Sequence, residues 1–251
     1  MNKKKISIYI TNHNYGKYIE RAIESALEQT YKNIEIIIVD DYSLDNSKNI
    51  IKKYKDKKKI KIIFNKSKLG LVQSSIKAIK VATGNFILRL DADDYLVSNA
   101  CEALISKVKN KSNVALIFPD FFKINENSNS IIRYRYNHKK IYTLEDHPAH
   151  GACSLINKKI FMDIGGYNKL FDRQDGFYIW ILILINKFKI IHCQKPLFYY
   201  RKHNKNLSNN LKQILKTKVN IINFFLEKKS FYNPELFRIK KKTIIKLNQF
   251  K

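Results

Sequence analysis

Three acids lie within four residues at Asp91-Ala92-Asp93-Asp94, directly behind the strand-like run Phe86 to Leu90. Closely spaced aspartates at a strand end can hold a divalent cation through hard oxygen ligands. Such a cation stabilises the charge that builds on a departing diphosphate. A solvated acidic turn is the other reading of the same four residues. A second pair, Asp40-Asp41, follows the apolar run Ile34 to Val39. A carboxylate there could accept hydrogen bonds from a base or a ribose, or could cap the next helix, a task open equally to Ser43 or Asp45. His13 offers a planar ring that could stack on a base or serve the structure alone. Asp175, just behind Arg173 and Gln174, opens a very apolar stretch. The dipole of a helix starting there favours a carboxylate, and a general base at that point could deprotonate an acceptor hydroxyl.

These residues need elements to bring them together. Ile6 to Thr11 reads as a buried strand, and Lys17 to Gln29 as a helix with Ile19, Ala22, Ile23, Ala26 and Leu27 on one face. Strands follow at Ile34 to Val39, Ile60 to Phe64 and Phe86 to Leu90, with helices between them at Ser47 to Tyr54 and Leu71 to Ala82. This alternation predicts βαβ units in a mostly parallel α/β sheet of Rossmann-like type, flanked by helices. Ligands of such sheets bind beyond the carboxyl ends of the strands. Three polar segments fall at that rim: Thr11 to Gly16, Asp40 to Asp45 and Asp91 to Asp94. The second half is less regular, with strands expected at Val114 to Phe118, Ile131 to Tyr136 (an edge), Cys153 to Asn157 and Leu197 to Arg201. A buried helix is expected over Asp175 to Asn186. From Leu207 onward the chain becomes basic and helical.

The formal net charge is +27 over 251 residues, while the 45% hydrophobic content is ordinary and predicts a real core. Lys, Ile and Asn are very frequent, which a coding bias would also produce. A cationic surface attracts anionic membranes, nucleic acids and phosphorylated substrates. The lysines are dispersed and no nucleic-acid-binding motif accompanies them, so no nucleic-acid partner is expected. A nucleotidyltransferase would need a Gly-rich, Lys-containing phosphate loop after the first strand, which is missing. Cys101, Cys153 and Cys193 are widely spaced without a CxxC pair, which argues against a disulfide framework or zinc site and fits a reducing cytosol. The basic Met1 to Lys5 leads into strand-like residues rather than a signal peptide. The longest apolar run, Phe177 to Ile185, is far short of the roughly 20 residues that span a bilayer. A cytoplasmic protein, soluble or peripheral at the inner membrane face, is therefore expected.

Several strings are familiar: Thr11-Asn-His-Asn-Tyr-Gly-Lys-Tyr-Ile19, Ala26-Leu-Glu-Gln-Thr-Tyr31, Ile38-Val-Asp-Asp-Tyr-Ser-Leu-Asp45 and Leu90-Asp-Ala-Asp-Asp94. In this order and spacing they resemble the family 2 glycosyltransferases of the GT-A fold. Gly165-Gly-Tyr167 followed by Gln174-Asp-Gly176 and Trp180 is similar to a further block of that family, and Pro196 to Arg201 with His203 to its closing segment. The resemblance covers about residues 6 to 208. It implies a nucleotide-sugar half over residues 1–100 and an acceptor-binding and catalytic half over 101–206 of the same domain; the basic amphipathic tail, 207–251, lies outside it. It implies sugar transfer by inverting displacement from a nucleotide-diphosphate sugar, UDP by family default, to a glycan or lipid-linked glycan in surface-polysaccharide synthesis. Carried over by position, Thr11, His13, Asp40 and Asp41 would hold the nucleoside, with His13 where a tyrosine is usual. Asp91 and Asp93 would form the DxD motif, and Arg201 would close over the diphosphate. Asp93, Asp94 and His203 would bind Mn2+ or Mg2+. Asp175 would be the catalytic base, in a motif reading Gln-Asp-Gly rather than Glu-Asp. Of His147 and His150, His150 is placed with Trp180 at the acceptor. The tail could lie on an anionic bilayer, or pack on the body or on another subunit. A non-catalytic or nucleic-acid-binding basic α/β protein is the alternative.

Overall fold

The computed structural model describes residues 4–108, 113–126, 130–136, 151–227 and 234–250. The elements of the first half are β1 (Ile6–Asn12), α1 (Ile19–Leu27), β2 (Ile34–Asp40), α2 (Ser47–Lys52), β3 (Ile60–Phe64), α3 (Leu71–Val81) and β4 (Phe86–Asp91). The expected alternation is present, each boundary within a few residues of its sequence estimate. Next come β5 (Tyr95–Leu96), α4 (Ala100–Ile105), β6 (Val114–Asn125), β7 (Ser130–Tyr134), β8 (Leu155–Asn157), α5 (Lys158–Asp163), α6 (Asp175–Ile185), β9 (Lys189–Lys202), α7 (Leu211–Glu227) and α8 (Pro234–Asn248). β1 and β2 are rich in isoleucine and buried along their whole length. Stiff β-branched side chains suit a sheet covered on both faces.

The sheet order is β3-β2-β1-β4-β8-β6-β9-β5, with β7 added to β6. β1 to β4 pair in parallel. β8 then runs antiparallel to both β4 and β6, β9 parallel to β6, and β5 antiparallel to β9. The sheet is therefore mixed, and the mostly parallel expectation holds for its first half only. β6 and β9 are longer than the sequence suggested. β6 runs on through Pro119, and β9 begins at Lys189 rather than Leu197. Their ladder shifts register around Pro119, Asp120 and Phe122. Proline donates no ladder hydrogen bond, and a bulge accommodates it without ending the strand.

Two apolar layers sandwich the sheet. Ile8, Ile10, Ile36, Ile38, Leu88 and Leu90 face the layer that holds α1, α2 and α4. Tyr9, Ile37, Val39 and Ile87 face the other, with α3, α6 and the inner sides of α7 and α8. Helix α6 is apolar all round because the sheet covers one side and the tail the other: the Tyr178 and Phe225 rings stand 5.3 Å apart. Ile221, Ile222, Phe225, Leu236 and Ile239 of the tail belong to this core, so the tail packs on the body.

At the amino ends of the strands, away from the acidic rim, Glu35 is buried on β2. Its Oε1 accepts from Ser7 Oγ at 2.6 Å and Thr83 N at 2.6 Å, and its Oε2 from Lys61 Nζ at 3.0 Å. Burial pushes this carboxyl up, but those donors outweigh it and bring its pKa down from 4.5 to about 2. A carboxylate lowered in the folded state adds stability above its unfolded pKa and loses it as pH falls through the folded value. Glu35→Gln should therefore cost up to about 3 kcal/mol at pH 7, with the deficit closing between pH 4.5 and 2. Urea unfolding at pH 7 and pH 2 tests this; an equal deficit at both would contradict it.

Candidate active site

The strand register assembles the acidic rim. Thr11 on β1 lies opposite both Val39 and Asp91, and Asn12 opposite Asp40. A cavity of about 400 Å³ opens there, with Thr11, Tyr15, Asp91, Asp93, Gln174 and Asp175 in its wall.

At its floor stands Arg89, two residues before Asp91 and therefore on the same face of β4. Arg89 Nε donates to Asp91 Oδ1 at 2.6 Å, and Nη1 donates to Asp175 Oδ2 at 2.6 Å. Arg89 and Asp175 are 8% and 7% exposed, so the link is shielded from water. Burial opposes the charge on Arg89, but Asp175 and Asp91 outweigh it and push its pKa further up. The Asp91 carboxyl is raised by burial against the pull of Arg89. Arg89 is absent from the sequence-derived site. The signal for it was a lone charge inside an otherwise apolar strand.

A strap formed by the end of β9 and the turn behind it crosses the acidic turn. Arg201 N donates to Asp94 Oδ1 at 2.9 Å, and Arg201 Nε to the Asp93 carbonyl at 3.1 Å. His203 Nε2 lies 3.0 Å and Asn206 Nδ2 3.1 Å from Asp93 Oδ2. The His203 ring stacks on Tyr18 at 4.9 Å and meets Tyr15 edge-on at 5.7 Å. Arg201 also lies over Tyr18 at 5.1 Å.

On the other side, Asp175 begins α6 directly after Gln174, whose φ of 59° is left-handed. A non-glycine residue there carries strain that the surrounding structure must hold. It turns Asp175 into the cavity and onto Arg89. Gly176 lies against Gly151, where a Cβ on Gly176 would make an ordinary contact at 3.5 Å with the Gly151 Cα.

A family model, Glycosyl transferase family 2, matches residues 7–165. The chain belongs to glycosyl transferase family 2. The family 2 enzyme is thus a sugar transferase of hexosyltransferase type. It is 31% identical over 251 residues to an uncharacterised glycosyltransferase, MJ1057, of Methanocaldococcus jannaschii, spanning 94% of this chain and 85% of the relative. It is 28% identical over 224 residues to the Escherichia coli UDP-Glc:alpha-D-GlcNAc-diphosphoundecaprenol beta-1,3-glucosyltransferase WfgD, with 88% and 87% covered. In fold it is similar to S. aureus TarS 1-349 in complex with UDP-GlcNAc, with TM-score 0.73, 17% identity, and 96% and 71% of the chains covered. The mannosyltransferase PcManGT from Pyrobaculum calidifontis, in complex with GDP-Man and Mn2+, gives TM-score 0.73 at 12% identity over 98% and 70%. These solved structures establish the GT-A architecture.

The family 2 cavity is lined by four of the residues expected from the sequence. Thr11, Asp91, Asp93 and Asp175 line it. His13 sits behind, its Nδ1–H donating to the Asp41 carbonyl at 2.8 Å. The Asp41 oxygens take Asn65 Nδ2, Leu69 N and Gly70 N at 2.9, 2.8 and 2.7 Å, which fixes the turn before α3. Asp40 is 0% exposed and accepts from Asn12 Nδ2 and Ser43 N, which braces the loops. Trp180 on α6 is 1% exposed and meets Phe118 edge-on at 5.8 Å. His147 and His150 lie outside the described residues. The sequence reading missed Tyr15, Asn206 and the tail: Leu207, Ser208, Ile214, Leu215 and Lys218 all line the cavity.

Among the described residues, no group of three or more His, Cys, Asp or Glu side chains is arranged to hold a metal. The donor set still suits a hard divalent ion in part. Asp93 and His203 put oxygen and nitrogen side by side at 3.0 Å. Asp94 is 1% exposed, its Oδ2 is buried with no hydrogen-bond partner among the described residues, and burial beside Asp93 and Asp91 holds its carboxyl well above the usual range. A nearby cation would lower that raised pKa.

Proposed function

We propose that the enzyme transfers a hexose from a UDP-sugar, with inversion, to a hydroxyl of a lipid-linked glycan in surface-polysaccharide synthesis. The observation that carries this reading is one cavity lined by Asp91, Asp93 and Asp175 together. Thr11, with His13 and the Asp41 loop behind it, frames the nucleoside, and Arg201 and His203 lie on the diphosphate side. Asp175 removes the proton from the acceptor hydroxyl as its oxygen attacks the anomeric carbon. The bond to the diphosphate breaks on the opposite face, and the nucleoside diphosphate leaves with the electron pair. Asp93 and His203 would hold Mn2+ or Mg2+, with Asp94 behind them, and that ion would neutralise the leaving group. The acceptor class follows the printed activity of WfgD. A thermal-shift panel of nucleotides and nucleotide sugars, with and without Mn2+, tests the donor. A ligand at a hundred times its Kd should stabilise by about 2.7 kcal/mol. A shift with UDP species that needs metal is expected; an equal shift without it would remove the metal from the reading.

The tail supports contact with an anionic bilayer. No helix among the described residues is long and apolar enough to cross a membrane. Phe237, Ile244 and Ile245 are exposed on α8 beside Arg238, Lys241 and Lys242. Lys212 Nζ donates to the Phe250 carbonyl at 3.2 Å, which places the end of α8 by the start of α7, next to the cavity mouth at Leu207. A basic helix with an apolar outer face lies flat on anionic lipid. Co-sedimentation with phosphatidylglycerol vesicles should weaken at least tenfold in Ile245→Asp; binding unchanged by that substitution would exclude this surface.

A further inference from the structure

The buried cation beneath the cavity has no assigned part in the reaction. We propose that Arg89 is a positioning residue that locks the acceptor-side acid to the donor-side acid, so that Asp175 meets the anomeric carbon only in the geometry set by Asp91. The inference rests on the reading of Asp175 as the base.

The geometry supports it in four ways. First, Arg89 spends two different nitrogens on two different carboxylates, Nε on Asp91 and Nη1 on Asp175, each at 2.6 Å. A planar guanidinium fixes the angle between its partners as well as their distance. Second, only Asp175 Oδ2 is engaged; Oδ1 accepts no hydrogen bond among the described residues, and the residue lines the cavity. One oxygen is thus anchored, and the carboxylate keeps the other as the acceptor of a proton. Third, the room for the guanidinium is made by the backbone: a Cβ on Gly151 would stand 3.3 Å from Arg89 Nη1. Fourth, stability alone is a poor reason for the arrangement. Desolvating a cation and two anions costs about as much as their attraction returns, and apolar replacements of such groups are often neutral or better. Tyr9 and Tyr167, joined through their hydroxyls at 2.9 Å, belong to the same buried side of the sheet. An apolar residue at position 89 would have continued that layer.

Arg89→Lys keeps the charge but cannot reach both acids with one ammonium. Its expected result is a melting curve near that of the unsubstituted enzyme, Mn2+-dependent UDP binding within about threefold, and kcat lowered about tenfold to a hundredfold, the cost of a misplaced reacting group. Gly151→Ala disturbs the guanidinium without touching any charge and should lower kcat in the same sense with UDP binding retained, so the test survives if Arg89→Lys fails to fold. Turnover within threefold of the unsubstituted enzyme in the folded variants would overturn the inference. So would a loss of UDP binding in step with kcat, which would make Arg89 a donor-site residue only. Asp175→Asn assayed alongside separates the two readings: full turnover there removes the base itself, whereas an inactive Asp175→Asn beside a fully active Arg89→Lys removes only the role of Arg89.

Discussion

Asp175→Asn is expected to lower transfer by about 10³-fold while UDP still binds. A positioned general base contributes about 10²- to 10⁴-fold, and Asn cannot take the proton at any pH. The substitution leaves Arg89 paired with Asp91 and still able to donate to the Asn carbonyl, so the cavity keeps its shape. Folding should therefore be close to normal, and the effect should fall on kcat with the donor KM little changed. Turnover assayed with a radiolabelled UDP-sugar over pH 6 to 9 checks it. A variant that regains full activity at high pH would show that solvent hydroxide or another group removes the proton. Asp163→Asn, an exposed substitution on α5, is the matched control, because its carboxylate pairs with Lys159 at the surface, away from the cavity.

Asp93→Asn should remove both turnover and metal dependence, again by about 10³-fold, since charge neutralisation at a leaving diphosphate contributes several kcal/mol. The side chain has two tasks. It anchors the strap through His203 Nε2 and Asn206 Nδ2, at 3.0 and 3.1 Å, and it presents the oxygen for a cation. Asn keeps a neutral oxygen for the first task and loses the charge needed for the second. Donor KM should therefore rise together with the fall in kcat, unlike in Asp175→Asn. In the thermal-shift experiment the UDP shift should no longer depend on Mn2+. A variant that still needs Mn2+ for an unchanged shift would move the ion away from Asp93.

Much of the fold could be read in the chain because its signals are local. The isoleucine-rich strands and the amphipathic α1 and α3 carry their periodicity within a dozen residues, and the topology then dictates which loops share a rim. Thr11, Asp91, Asp93 and Asp175 were found on that basis and by resemblance. What escaped depends on neighbours distant in sequence. The apolar run of α6 announces its burial, but that the sheet covers one side and α7 the other is revealed by no local pattern. Asp40 differs from Asp41 only in which side of β2 its carboxylate leaves. β6 and β9 were cut short at prolines, where the sequence cannot distinguish a bulge from an end. The cavity wall from α7 was invisible because the tail lies outside the resembling strings. Arg89 could have been inferred: period two puts it beside Asp91, and a lone buried cation needs an anion.

Asp175 and Arg89 are 86 residues apart, and the short strand β8 is what joins the parallel half to the half that carries Asp175. Closing so long a loop must precede the contact, and the rim itself needs a closure nearly as long, since β1 lies beside β4 with Thr11 opposite Asp91. Donor rim and base thus both depend on pairings between distant parts of the chain, and the strap that carries Arg201 and His203 onto Asp93 comes later still in the sequence. The catalytic pair is therefore complete only when the whole sheet is.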